Sequence, residues 1–149
     1  MSAIKSKARR SEDLASRFVS VAALPWHKTR HQGVETKALL ADADTGLLTV
    51  LTKMAPGARL PDHEHVLIEQ TYVLEGTLHC GEGACKAGDF VWRPAGSRHE
   101  AWAGPDGCLA IAMFQMPNRF HETDGRVLDF LGDDWEKRWG KLLARRATR

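Results

Sequence analysis

From residue 34 to residue 116 the chain is cut into short β-prone runs, and this punctuation restricts its fold more than any other feature. The runs VETKALL, LLTVLTKM, QTYVLEGTLHC, FVWRPAG and CLAIAMFQM are separated by the turn-forming stretches ADADTG, APGARLPD, GEGA and EAWAGPDG. Strands of this length, bounded by Gly, Pro and Asp, build antiparallel sandwiches or barrels. No long helical period intervenes that could carry a βαβ crossover, which argues against a parallel α/β sheet. Internal repeats and low-complexity segments are absent from the sequence. The expected class is all-β and single-domain.

The two ends read differently. Residues 1–20 are polar and basic, with Lys5, Lys7, Arg9 and Arg10, and are expected to form a flexible arm with a short helix around Leu14 and Phe18. Residues 21–132 are assigned to the barrel, which begins with the loop ALPWHKTRHQG, anchored by Trp26. Residues 133–149 are expected to be a C-terminal helix and basic tail. In DDWEKRWGKLLARR, the residues Trp135, Trp139, Leu142 and Leu143 fall on one helical face, with Asp133 or Asp134 as N-cap and arginines in the last turn. That face can pack on the barrel; two tryptophans on so short a helix also leave a dimer contact open, and a homodimer is expected.

Composition bounds the partners. A net charge of +2 on 149 residues makes no case for nucleic acid, and no apolar run is long enough for a membrane span. The basic N-terminus has no apolar stretch after it, so no secretory signal is read there. Three cysteines, Cys80, Cys85 and Cys108, are too few for a disulfide framework and fit a reducing, cytoplasmic setting. Cys80 and Cys85 flank GEGA, which reads as a hairpin loop, and are expected as buried thiols in preference to a disulfide.

The chemistry sits in two stretches. In HEHVLIEQTYVLEG, residues 63–76, His63 and His65 are two apart on an extended segment and point the same way, with Glu64 pointing oppositely. Glu69 follows across the short irregular piece VLI. Two neutral imidazoles and a carboxylate make a mixed nitrogen and oxygen set that suits Fe(II), Zn(II), Mn(II), Ni(II) or Cu(II), and not a thiolate site. In GDFVWRPAGSRHE, residues 88–100, Pro94 and Gly96 make a tight turn that re-aims the chain so that His99 points inward. His27, His31, His79 and His121 fit no ligand spacing and read as loop or surface residues.

These stretches resemble the cupin family. Its first motif, G-x5-H-x-H-x3-E-x6-G, is met by Gly57, His63, His65, Glu69 and Gly76 without a gap. Its second, G-x5-P-x-G-x2-H-x3-N, is met by Gly88, Pro94, Gly96 and His99, with Ala103 in place of the final Asn. The resemblance implies an RmlC-like jelly-roll β-barrel holding one metal ion through His63, His65, Glu69 and His99. The stretches PGARLPDHEH, EQTYVLEGTL and AGDFVWRPAGSRHEAW are similar to the branch that holds the cupin domain of the anti-sigma factor ChrR and the acetylacetone-cleaving and related β-diketone dioxygenases. The ChrR proteins carry a zinc-containing domain before the cupin; here a short arm without cysteine precedes it, which favours the stand-alone enzyme.

What this branch implies is Fe(II)-dependent, O2-dependent cleavage of a carbon–carbon bond in a small β-diketone or similar enolisable dicarbonyl. Such a substrate binds as an enolate, whose charge a dication held by neutral histidines stabilises. The acetylacetone-cleaving type has three histidines and no acidic ligand, whereas Glu69 is present here, either as a ligand or as a catalytic base. Strand parity places Cys108, Ala110, Ala112 and Phe114 on one face, leaving room beside the metal with Phe114 as a wall. Leu60 and Trp92 are the other expected substrate contacts. The rival reading is a non-enzymatic, zinc-binding sensor of the ChrR kind.

Overall fold

The computed structural model describes residues 14–149, so Lys5, Lys7, Arg9 and Arg10 lie outside the described residues. Leu14 ends a 3-10 turn whose earlier residues lie outside the described ones, and residues 16–20 are irregular, so the expected short helix does not extend to Phe18; both Leu14 and Phe18 are exposed. An N-terminal turn at Val21–Ala23 precedes the strands. These are β1 (His27–Lys28), β2 (Val34–Ala41), β3 (Leu48–Met54), β4 (Arg59–Glu64), β5 (Glu69–Cys80), β6 (Gly83–Lys86), β7 (Phe90–Arg93), β8 (Arg98–Phe114), β9 (Phe120–His121) and β10 (Val127–Leu128). All pairings are antiparallel, with β1-β2-β3-β8-β5-β6 as the main path, β4 on β8, β7 on β5, and β9 with β10 apart. The architecture is the RmlC-like jelly roll that the turn spacing and motifs imply.

One strand organises the rest. The second half of β8 lies between β3 and β5, pairing Phe114 with both Leu48 and Glu69. Its first half pairs with β4, from Arg59↔Trp102 to Glu64↔Arg98. The stretch GPDG, read from sequence as a strand boundary, is instead a wide bulge inside β8. Pairing with β5 jumps from Gly76↔Cys108 to Leu78↔Ala103, so Gly104–Gly107 have no partner on β5. The ladders on both sides persist, so the turn formers bend the strand without ending it. This bulge needs glycine at its closest approach. Gly76 has φ +71°, and a Cβ there would lie 2.0 Å from the Gly107 carbonyl oxygen.

Alternation on these strands builds the core. Leu48, Val50, Val73, Ala110, Ala112 and Phe114 bury together with Phe120 and Phe130 from the segment after β8. The outer face of β2 and β3 is partly covered by the N-terminal loop. Lys37 donates to the Val21 carbonyl (2.8 Å), and the Lys37 and Lys53 ammonium groups lie 4.8 and 4.3 Å from the centre of the Trp26 ring. Trp26 thus anchors the loop through cation–π contacts. Among the described residues no helix is long and apolar enough to cross a membrane.

The C-terminal helix packs inside its own chain. Asp134 accepts the Lys137 N–H (2.9 Å), a wide π-type turn spans Glu136–Gly140, and α1 (Lys141–Ala147) completes the helix. Trp135 and Trp139 are buried with Met116, flanked by Leu142 and Leu143. Both indoles are also satisfied: Trp135 donates to the Pro117 carbonyl (2.8 Å) and Trp139 to Asp129 Oδ2 (2.9 Å). The two tryptophans therefore serve packing. The hairpin at Cys80 is tighter than GEGA suggested: Cys80 pairs with Gly83, and Cys85 with Leu78. All three thiols are free; Cys108 is buried, while Cys80 and Cys85 are half-buried.

The glycine approach generates a stability test. Gly76→Ala should cost about 3–5 kcal/mol in urea unfolding, because backbone must shift. Gly57→Ala, at φ +71° with nothing within 4 Å of the added Cβ, should cost about 1–2 kcal/mol. Equal costs for the two would contradict the close packing of Gly76 on the bulge.

Candidate metal centre

The three motif histidines reach one point because of strand register. His63 near the end of β4 pairs directly with His99 at the start of β8, which sets their side chains side by side. His65 lies just past β4, and the turn between β7 and β8 fixes it there. Its N–H donates to the Ser97 carbonyl (2.9 Å), and its carbonyl accepts from Gly96 (2.7 Å). Gly96 adopts φ +83°, and Ser97 N–H closes the turn on the Pro94 carbonyl (3.2 Å). The Pro-x-Gly spacing therefore does two things: it turns the chain into β8 and clamps His65. Glu69 opens β5, paired with Arg93 on one side and Phe114 on the other.

The ligand nitrogens of His63, His65 and His99 all lie within 4.8 Å of one another, and the three could hold a metal ion. His63 Nδ1 donates to the Pro61 carbonyl (2.8 Å) and His99 Nδ1 to the Glu100 carbonyl (2.9 Å). Since a carbonyl only accepts, both rings keep an unprotonated Nε2. His65 Nε2 sits 2.8 Å from His99 Nε2. Two nitrogens bound at right angles to one cation stand about 3 Å apart, so this separation fits a shared ion. The His65 Nδ1 is buried with no hydrogen-bond partner, so its ring lacks the anchor that the other two have.

Glu69 completes the cluster without satisfying it. Thr71 donates to Glu69 Oε1 (2.9 Å). Oε2 is 2.8 Å from His65 Nε2 and 3.6 Å from Arg93 Nε, yet it receives no directed hydrogen bond. A buried carboxylate oxygen without a donor, aimed at converging ring nitrogens, suits a cation ligand. Burial pushes the Glu69 carboxyl up, but the contact with His65 and the nearby His63 and Arg93 outweigh it and hold it at about 2. Burial also lowers His63 to about 4, against the Pro61 hydrogen bond, and lowers His99 to about 3, helped by His63 and Arg93. Ionised carboxylate and neutral imidazole are the forms that bind metal.

The cavity beside these groups is small, about 50 Å³, and mostly apolar. Leu60 and Phe114 line it, as do Cys108, Ala110 and Ala112. Trp92 does not. It stands 57% exposed on the outer face beside Phe90. The β7 alternation runs the other way from the expectation: Val91 and Arg93 turn inward, so Phe90 and Trp92 turn out. The sequence reading missed Arg93, Asn118, Phe120 and Phe130. Arg93, Asn118 and Phe130 line the cavity, and Phe120 stacks on His63 with ring centres 4.7 Å apart. The alternation of FVWR could have pointed to Arg93, had the turn at Pro94 been used to set its phase. His31, read as a loop or surface residue, is half-buried against Phe120, ring centres 5.1 Å apart.

The family model described as the ChrR cupin-like domain matches residues 15–118. The fold is similar to a candidate acetylacetone dioxygenase from Methylibium petroleiphilum PM1, at TM-score 0.70 and 20% identity, over 85% of this chain and 94% of that one. It is similar to an acetylacetone dioxygenase from Acinetobacter johnsonii, at TM-score 0.67 and 19% identity, over 87% and 93%. It is also similar to a chain in the complex of Rhodobacter sphaeroides SigE with the anti-sigma ChrR, at TM-score 0.56 and 24% identity, over 63% of this chain and 51% of that one. No curated protein matches the sequence.

Replacing either member of the β4–β8 pair tests the centre. His63→Ala and His99→Ala should each drop bound metal, measured by elemental mass spectrometry, from about one ion per chain to near zero, with circular dichroism unchanged. Full metal content in either variant would mean that the ion lies elsewhere.

Proposed function

The chain belongs to the ChrR cupin-like family, and from that membership we propose that it is a mononuclear, non-haem, Fe(II)-dependent dioxygenase. Its substrate is a small β-diketone or similar enolisable dicarbonyl, cleaved at a carbon–carbon bond with O2. The observation that carries this reading is the convergence of three ring nitrogens and one unsatisfied carboxylate oxygen beside a small apolar cavity. His63, His65 and His99 would hold the ion, with Glu69 as a fourth ligand or as the base. A bound divalent ion would stabilise the negative charge of an enolate and, as Fe(II), give access to dioxygen chemistry; Zn(II), Mn(II), Ni(II) and Cu(II) fit the same donors.

The chain's own groups supply the rest. Glu69 is the only carboxylate among the residues lining the cavity, and with Oε1 held by Thr71 its Oε2 is free to take a proton from the substrate's activated carbon. Phe114 and Leu60 restrict the ligand to a few carbons and exclude water. A cytoplasmic setting is proposed with the three free thiols as support. A second copy of the chain is the proposed assembly partner, and the exposed face bearing Tyr72, Leu74, Phe90 and Trp92 is where it would dock.

The second reading is a zinc-binding sensor or regulatory module without turnover. It is favoured by the match to the ChrR cupin-like domain itself. An oxygen electrode separates the two. Protein purified anaerobically with Fe(II) should consume oxygen when acetylacetone or another β-diketone is added. His99→Ala should abolish uptake, and Glu69→Gln should slow it by about 100-fold or more if Glu69 is the base. No uptake with any β-diketone, together with tightly held zinc, would replace the oxygenase with the sensor.

A further inference from the structure

Arg93 is a buried cation whose partners do not account for it. It is 7% exposed, turned inward from β7, and lines the same cavity as His63, His99 and Glu69. Its one ion pair among the described residues is Nε to Glu69 Oε2 at 3.6 Å, beyond hydrogen-bond reach. No hydrogen bond joins its guanidinium to any other described residue. A guanidinium stays charged in a protein and carries five N–H donors, and these nitrogens keep some accessible surface, so a ligand entering the cavity can reach them. Glu69 does not take them up: Thr71 donates to Oε1, and Oε2 stands 3.6 Å from Arg93 Nε without a directed hydrogen bond.

The shape of the missing partner follows from the donor. A planar fork of N–H groups matches the two oxygens of a carboxylate better than any single neutral acceptor. The charges point the same way. Imidazoles that ligate a metal do so as neutral groups, and Arg93 offsets Glu69, so a divalent ion held there would leave two positive charges, matched by an enolate and a carboxylate on one ligand. Leu60, Ala110, Ala112, Phe114 and Phe130 offer an anion nothing, and the other polar lining residues, Thr52, Thr71 and Asn118, are neutral, so Arg93 is the one cationic side chain on the cavity wall besides the histidines.

We propose that Arg93 anchors a carboxylate on the substrate, so that the cavity takes a small enolisable dicarbonyl acid in preference to a neutral diketone. The inference rests on the dicarbonyl reading above and narrows its substrate class. Acetylpyruvate and acetylacetone make the comparison, because they differ by a carboxylate in place of one terminal methyl. Binding of each to the full-length, Zn(II)-loaded protein is measured by calorimetry without oxygen. The wild type should bind acetylpyruvate about 10- to 100-fold more tightly. Arg93→Met should bring that ratio close to one with metal content unchanged. Arg93→Lys, which keeps the charge and loses the fork, should recover part of it.

A merely structural Arg93 would weaken both ligands alike and leave the ratio where it was; that result overturns the proposal. Equal or absent binding of the two ligands by the wild type overturns it as well, and decides the matter even if Arg93→Met fails to fold. Oxygen uptake is scored separately on the Fe(II) protein. The expected ratio without uptake would uphold Arg93 and remove the oxygenase; uptake with acetylacetone and no preference for the acid would do the reverse.

Discussion

The antiparallel pairing of β4 with β8 is the constraint on which the site depends. It places His63 opposite His99 and delivers His65 to a turn whose backbone grips it from both sides. Side-chain direction in a strand has period two, so a slip of one residue would turn His63 out of the barrel and bring Asp62 or Glu64 in. What prevents the slip is outside the pair itself. Glu64, facing the other way, is bridged through its backbone to Arg119 and meets Arg119 Nη1 and His121 Nε2 with its carboxylate. Asp62 is tied to Arg98. The polar residues that alternate with the histidines thus hold the register from the outside while the histidines use it on the inside.

Which parts of this were legible in the sequence depends on range. Short-range grammar read correctly: two histidines two apart, a Pro-x-Gly turn ahead of a third, and the alternation Cys108, Ala110, Ala112, Phe114, whose inward phase was set by one aromatic residue. Asp134 as a helix cap and the Trp135–Leu143 face are of the same kind, because each is decided within two helical turns. The misreadings arose where a partner strand decides. GPDG has every mark of a strand end, and only the two ladders flanking it turn it into a bulge. Trp92 and Phe90 share a face of β7, and the side of the sheet that face occupies is set by the pairing Gln70↔Trp92 and Glu69↔Arg93. A large aromatic invites assignment to the interior, yet here the arginine beside it is the buried one.

That inversion has an electrostatic reason. Burial disfavours the Glu69 carboxylate, and His65, His63 and then Arg93 offset it, Arg93 being the permanent cation of the three. Glu69 and Arg93 are cross-strand partners, so they enter the interior together or not at all. Their pairing is imperfect, at 3.6 Å and without a directed hydrogen bond. The gap leaves Glu69 Oε2 as a buried acceptor without a donor, which costs about 1–3 kcal/mol unless something else fills it. Groups kept apart and under-satisfied in a cavity are the usual mark of a place that expects further ligands.

The segment after β8 belongs to the site as much as the motif strands do. Phe120 stacks on His63, Phe130 packs on both Phe114 and Phe120, and Asn118 lines the cavity. These residues lie on short or irregular backbone that could not hold aromatic rings in place unaided. The fully buried Asp129 supplies the support: its Oδ1 accepts from the Leu131 and Asp133 N–H groups, and its Oδ2 accepts from the Trp139 indole. Trp135 ties the same helix to the Pro117 carbonyl, next to Asn118. A continuous chain of packed rings and hydrogen bonds therefore runs from the C-terminal helix through Asp129 and Phe130 to Phe120 and His63. The helix is remote from the three clustered histidines in sequence, but without it one wall of the cavity and the ring that steadies His63 would have no fixed position.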